Sequence, residues 1–404
     1  MAIVAAMAVP HPPIILPEVG RGEEKKIAKT AAAYREVMRR AAELEPDTVV
    51  ITSPHATMYS DYFHISPGKS ARGDFSAFRC PEVEIEAEYD AAFSKALADA
   101  CAEEDLPAGF LGEREPALDH GTMIPLYFLQ PALKKPVKVV RIGLSGLSAD
   151  VHYRLGRLIQ DTAEKLGRRT VFIASGDLSH KLKEDGPYGF AKEGPVFDEA
   201  VTEDLGKADF LSLLTISPDL AEGAAECGLR SFWIMAGALD CQRVHAELLA
   251  HEGTFGVGYG VAYFTPEGED DARDIGRQLI DAETQAIAKV REQEDAYVRL
   301  ARESLETFAR SHTMLPVPKD LPARGKSPSA RRRDGSGAGR ASRRLWLPIS
   351  QTWRVTSKRQ SVTFSFAPML PLRRAMAICC STESTPARSG SSTPRRSPFC
   401  TMTP

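Results

Sequence analysis

With 404 residues, 43% of them hydrophobic and 26% charged, the chain has the composition of globular protein and room for two or three domains. Its formal net charge of −3 hides a split, because from Arg324 onward 16 Lys and Arg face 2 Asp and Glu, leaving 35 against 52 before that point. The acidic body argues against a nucleic-acid surface, no apolar run reaches the roughly 18–20 residues of a membrane helix, and seven cysteines without a CxxC pair fit a reducing cytoplasm.

Residues 3–9, Ile-Val-Ala-Ala-Met-Ala-Val, form an apolar run of the kind that fills a buried strand. Ala6-Met7-Ala8 has the small-x-small look of a signal cleavage site. No Lys or Arg precedes the run, so a first strand is the better reading. The run leads into Pro10-His11-Pro12. Residues 22–44 then read as an amphipathic helix, with Ala31, Tyr34, Val37, Met38 and Ala41 at helical spacing. Val49-Val50-Ile51-Thr52 is a second strand running through Ser53-Pro54 to His55. A helix over 89–102, a strand over 137–144, a helix over 150–166 and a strand over 170–174 follow. The last delivers Ser175-Gly176-Asp177-Leu178-Ser179-His180. Residues 220–239 read as one helix with Gly228 and Gly237 as weak points, and 254–264 as a late strand alternating with period two. A charged helical stretch over 271–308 ends at Leu315-Pro316-Val317-Pro318. Beyond it the chain is Arg, Ser, Pro, Gly and Ala without periodicity, a composition that buries too little apolar surface to offset its ordering entropy.

This alternation predicts an α/β fold: a central mixed β-sheet flanked by helices on both faces, with a metal site at the strand C-terminal ends. Three histidines, His11, His55 and His180, stand just past strand-like runs, where the crevice of such a sheet gathers ligands. Imidazole is the commonest metal ligand and the usual proton carrier near neutral pH. Proline flanks both His11 and His55 and stiffens their backbone. The plain alternative is a pair of loop histidines bonded to backbone.

Two histidines and a carboxylate make the facial arrangement of non-haem Fe(II) oxygenases. Glu226 is the candidate carboxylate and Cys227 its rival, while an ordinary helix-start carboxylate is the plain reading of Glu226. His120, in Asp119-His120-Gly121, and His180 are candidate acid/base residues, with Asp119 and Asp177 placed to bias them. Helix capping by Asp177 or Ser179 is the alternative there. Gly143-Leu144-Ser145-Gly146-Leu147 misses the GxSxG nucleophile elbow at its last position. His64, His152, His245, His251 and His312 read as surface or helix residues.

Taken in order, the HPP of His11, the SPH of His55, Asp119-His120-Gly121, the SGDLSH ending at His180, and Glu226 with the following Trp233-Ile234-Met235-Ala236-Gly237 resemble the class III extradiol dioxygenase catalytic subunit, the LigB-type domain. The form most resembled is the Memo-like version of AmmeMemoRadiSam systems, fused to an AMME-candidate-region domain. The resemblance implies a LigB-type domain over 1–266 and a mononuclear Fe(II), with Zn as the alternative, held by His11, His55 and Glu226. It also implies His180 as acid/base and His120 as a pocket hydrogen-bonder. A small aromatic substrate and O2 are the implied partners, with a radical-SAM protein as a further one, and self-association is left open. Under the Memo-like resemblance Cys227 stands where the carboxylate would be, and the protein is a metal-binding interaction or redox module without dioxygenase turnover. A zinc hydrolase would use the same crevice. Residues 267–322 resemble a helical linker and the start of an AMME-type domain. Residues 323–404 are expected to be a basic, disordered tail whose composition fits an out-of-frame reading of a GC-rich gene.

Overall fold

A computed structural model describes residues 2–313 and 315, together with the backbone of three short strands at Trp353–Ser357, Gln360–Ser365 and Cys379–Ser381. The chain divides into two units, Met1–Glu303 and Ser304–Pro404. In the second, the three short strands pair antiparallel in chain order. The composition of the tail predicts no order there; the rest of that reading lies outside the described residues.

The first unit is an α/β layer structure built on a mixed six-stranded sheet. Its strands are β1 (Ile3–Val9), β2 (Thr48–Ser53), β3 (Lys138–Gly143), β4 (Thr170–Ser175), β5 (Gln242–Glu252) and β6 (Tyr259–Glu269), in the spatial order β3-β2-β4-β1-β6-β5. The first four run parallel, and β6 and β5 close the sheet antiparallel. The apolar runs of β1, β2 and β4 are buried throughout or nearly so, as a sheet covered on both faces requires. Strand alternation divides them between two cores. Ala6, Ala8, Val50, Phe172 and Ala174 point into one, and Ala5, Met7, Val9, Val49, Ile51, Val171 and Ile173 into the other.

Four helices matter for the site. Helix α1 (Ala28–Glu43) buries Ala31, Tyr34, Val37, Met38 and Ala41 in the second core, the same residues whose spacing predicts the helix. Helix α2 (His120–Leu129) covers that face too, whereas α3 (Ala149–Lys165) and α4 (Leu229–Ala238) pack on the other. Among the described residues, no helix is long and apolar enough to cross a membrane.

Several boundaries differ from the sequence pattern, each for a local reason. The helix expected over 22–44 starts with a 3-10 turn at Glu23–Ile27, because Gly22 (φ 106°) and Ile27 (φ −121°, ψ 40°) leave helical geometry. The stretch 271–308 is two helices, Ile275–Arg291 and Ala296–Ser311. The glycine-rich start of the late strand is a turn around Gly256 at φ +83°, and β6 begins only at Tyr259. Strand β5, not anticipated, is the sheet edge, where burial is partial and the apolar pattern correspondingly diluted.

The most consequential difference is the helix expected over 220–239. It breaks into Pro218–Ala224 and α4, with Ala225 left-handed at φ 54° and Glu226-Cys227-Gly228 as a loop between them. Tertiary contact replaces helical bonding here. The Cys227 amide donates to the Asp177 carbonyl at 3.4 Å, and a Cβ on Gly176 would stand 2.0 Å from the Gly228 Cα, so only glycine lets the two loops approach.

Two histidines read as surface or helix residues are core groups. His64 is 1% exposed in a short strand, between the Leu111 carbonyl (3.1 Å) and Glu113 Oε2 (3.2 Å). His152 lies on α3 but faces inward, fully buried, its Nδ1–H donating to the Ser148 carbonyl at 2.9 Å between Phe63 and Trp233. Burial pushes the His152 imidazole down to about 4. The unfolded chain therefore binds the extra proton first, and this contribution to stability is full above about pH 6.5 and falls away between there and about pH 4, by about 3 kcal/mol. His152→Phe is expected to flatten that part of the acid limb in urea melts run across this range.

Candidate functional site

The parallel strands β1, β2 and β4 share one C-terminal edge, and the segments beyond it bring the predicted residues together. His11 follows β1 by two residues and is 2% exposed. His55 follows β2 in the Pro54 turn. His120 opens α2, with Asp119 as its N-cap. One ring nitrogen from each of these three histidines lies within 4.8 Å of the other two. His11 Nε2 and His55 Nε2 are 3.1 Å apart, and the His55 and His120 ring centroids 4.0 Å apart.

Hydrogen bonds fix which nitrogens face inward. The Ser175 hydroxyl, at the end of β4, donates its one proton to the Gly121 carbonyl at 2.6 Å. Its oxygen is then the acceptor for His11 Nδ1–H at 2.9 Å, which leaves His11 Nε2 as a bare lone pair aimed at His55. Two lone pairs do not rest 3.1 Å apart, so either a proton on His55 Nε2 or a cation between the rings completes the contact. Donors on one cation at roughly 2.1–2.3 Å stand about 3–3.7 Å from each other. The His11–His55 spacing falls in that range.

The electrostatics favour the ligand state. Burial, then the neighbouring His55, holds His11 well below the usual imidazole range. Burial lowers His55 as well. Burial together with His55 and His11 pushes His120 down to about 3. All three are neutral imidazoles at physiological pH, the form that binds metal. The residues therefore fit a divalent ion.

The remaining predicted residues stand around this trio. His180 comes five residues after β4. Its Nδ1–H donates to the Ala225 carbonyl, so its Nε2 lone pair faces the crevice, 4.0 Å from both Asp177 Oδ2 and Cys227 Sγ. Cys227 Sγ is 3.6 Å from His11 Nε2 and receives the Asp177 amide at 3.3 Å. Burial, reinforced by Asp177, pushes the Cys227 thiol up. Glu226 is oriented differently: its Oε2 accepts the Leu229 amide of α4 at 2.7 Å. Asp177 braces the end of β1 by accepting the His11 amide at 2.7 Å.

Three supporting residues have no role assigned by the sequence pattern: Ser53 and Ser175, which open the SPH and SGDLSH runs, and Arg141, which lies outside every motif. The two serines are the last residues of β2 and β4, equivalent strand ends, and that equivalence was the available signal. For Arg141 the signal was a charged residue inside Val139-Val140-Arg141-Ile142. Its side chain is 2% exposed and pairs with Asp119, Nη2 to Oδ2 being 2.9 Å. Burial works against the charge on Asp119, yet Arg141 and the Ser53 and Thr122 hydroxyls hold its carboxyl below the usual range. Two aromatic rings flank the crevice, Phe78 at 5.2 Å from His120 and Tyr188 at 5.2 Å from His180.

Residues 5–262 match the family described as the catalytic LigB subunit of aromatic ring-opening dioxygenase. Protein CA_C1420 of Clostridium acetobutylicum is 36% identical over 317 residues, 76% of this chain and 67% of that protein. The 2-aminophenol 1,6-dioxygenase beta subunit of a Pseudomonas sp is 25% identical over 292 residues, 64% of this chain and 92% of that subunit. A crystal structure of the uncharacterized protein JW3007 from Escherichia coli K12 superposes with a TM-score of 0.44 at 16% identity, over 65% of this chain and 99% of that one. With the family match running from β1 into β6, the chain belongs to the LigB family of aromatic ring-opening dioxygenase catalytic subunits.

Proposed function

We propose that this chain is a non-haem Fe(II) protein of dioxygenase type, acting with O2 on a small aromatic that carries adjacent hydroxyl, or hydroxyl and amino, groups. The observation that carries the reading is the convergence of His11, His55 and His120 on one point at the strand ends. His11 and His55 would hold the ion, with His120 beside them. The third protein donor comes from the Glu226-Cys227 loop, and Cys227 is the better placed of the two, its Sγ 3.6 Å from His11 Nε2 while the Glu226 carboxylate is engaged with the Leu229 amide. When bound, the ion would supply Lewis acidity toward the ring oxygens and a redox-active centre for O2.

The chain's own groups supply the rest. His180 Nε2, its ring held by the Ala225 carbonyl, is oriented to take a hydroxyl proton and later return it. His120, neutral and beside His55, is available to hydrogen-bond substrate. Phe78 and Tyr188 offer faces on which a planar ring can pack. This chemistry belongs to residues 1–266; the helices beyond carry none of the named groups.

A second reading has one observation in its favour. A thiol rather than a carboxylate lies beside His11 Nε2, and two imidazoles with a soft donor also suit a Memo-like metal-binding or redox module without ring cleavage. Oxygen uptake separates the two. The Fe(II)-loaded full chain, mixed anaerobically with catechols or 2-aminophenol and then given O2, is expected to consume O2 and form a coloured ring-opened product. One bound metal per chain with no uptake on any of these compounds would replace the first reading with the second.

A further inference from the structure

We propose that Arg141 is a positioning residue for the metal-binding histidines, acting through Asp119 and Ser53. The inference rests on the reading of His11, His55 and His120 as metal donors.

The side-chain hydrogen bonds and ion pair of Arg141 go to Asp119 and the Glu115 carbonyl, not to the three histidines. Arg141 sits on β3 among Val139, Val140 and Ile142, where a buried charge is costly unless it is paired and hydrogen-bonded. Its partner is Asp119, whose Oδ2 accepts Arg141 Nε at 3.1 Å and Nη2 at 2.9 Å. Asp119 then spends the rest of its acceptor capacity on the site. Oδ1 accepts the Thr122 amide at 3.0 Å and the Ser53 hydroxyl at 2.5 Å, and Oδ2 also accepts the Thr122 hydroxyl at 2.8 Å.

Each of those bonds ends beside a metal donor. The Thr122 bonds cap α2 in the turn that begins with His120. Ser53 Oγ, having donated to Asp119, accepts the His55 amide at 3.2 Å. The same turn presents the Gly121 carbonyl to Ser175, which orients His11. A Cβ at Gly121 would lie 2.4 Å from Ser53 Oγ and 3.5 Å from His11 Nδ1, so the three segments meet with no spare space. Arg141 is the permanent positive charge paired with this carboxylate, and its planar fork sets the direction in which Asp119 faces. Lysine keeps the charge and loses the fork.

Outer groups that orient ligands are worth about 10–100-fold in metal affinity. The test is an anaerobic Co(II) titration of the metal-free full chain, following the visible spectrum, for the wild type, Arg141→Lys, Ser53→Ala and the double variant. Arg141→Lys is expected to bind Co(II) about 10–100-fold more weakly, with a shifted spectrum, while its far-UV circular dichroism stays native. Ser53→Ala breaks the same relay without touching a charge and is expected to weaken binding in the same direction. The double variant is expected to be little weaker than Arg141→Lys alone, since both act on one chain of bonds.

A purely structural role would lower the melting temperature and leave affinity and spectrum at wild-type values, and that result overturns the proposal. If Arg141→Lys does not fold, Ser53→Ala decides by the same criteria. A wild type that binds no Co(II) removes the metal reading and this inference with it. A wild type that binds while both variants bind equally well removes this inference alone.

Discussion

His11→Ala is expected to abolish metal binding. Of the three clustered imidazoles His11 is the most enclosed, and its Nε2 has two donor atoms close by: His55 Nε2 at 3.1 Å and Cys227 Sγ at 3.6 Å. Its orientation is set from both ends, the ring by Ser175 and the backbone by Asp177. Alanine would leave the neighbouring donors without a common centre, a larger loss than the roughly 10–100-fold expected of outer-shell changes. Thermal unfolding gives a second readout. A ligand present at about 100 times its Kd stabilises the folded state by about 2.7 kcal/mol. The wild type should show that gain on adding Fe(II) under argon, and His11→Ala should show none. A metal-dependent shift of equal size in both would mean that the ion sits elsewhere.

His180→Ala is expected to do the reverse, leaving the metal in place and removing turnover. Its Nε2 is 4.0 Å from Cys227 Sγ, and its ring hangs from the Ala225 carbonyl rather than from the histidine cluster. A positioned acid/base group contributes about 10²–10⁴-fold to rate, so turnover of any accepted aromatic should drop by that order, with Fe(II) content held at the wild-type level. Loss of metal together with activity would instead make His180 a ligand.

The fold was legible in the sequence because its central strands are buried on both faces. Such strands are continuous apolar runs, and Ile3–Val9, Thr48–Ser53 and Thr170–Ser175 stand out for that reason. Their common direction carries His11, His55 and His180 to one edge, so the crevice could be read from three strand ends. The loop bearing Glu226 and Cys227 could not. Its composition suits a helix, and what breaks the helix is contact with Gly176 and Asp177, some 50 residues earlier in the chain. That break turns Cys227 toward His11 and leaves Glu226 to cap α4. The edge strand Gln242–Glu252 was hidden because an edge needs no unbroken apolar run. Arg141 escaped because its role exists only through Asp119, on another element 22 positions away.

The central claim is that the strand-end histidines hold one cation, and anaerobic metal analysis tests it most directly. The full chain is loaded with Fe(II), freed of excess by gel filtration and assayed beside His11→Ala. One Fe(II) per wild-type chain and none in the variant is the expected result. A wild type without iron, or a variant that keeps its full complement, would contradict the account.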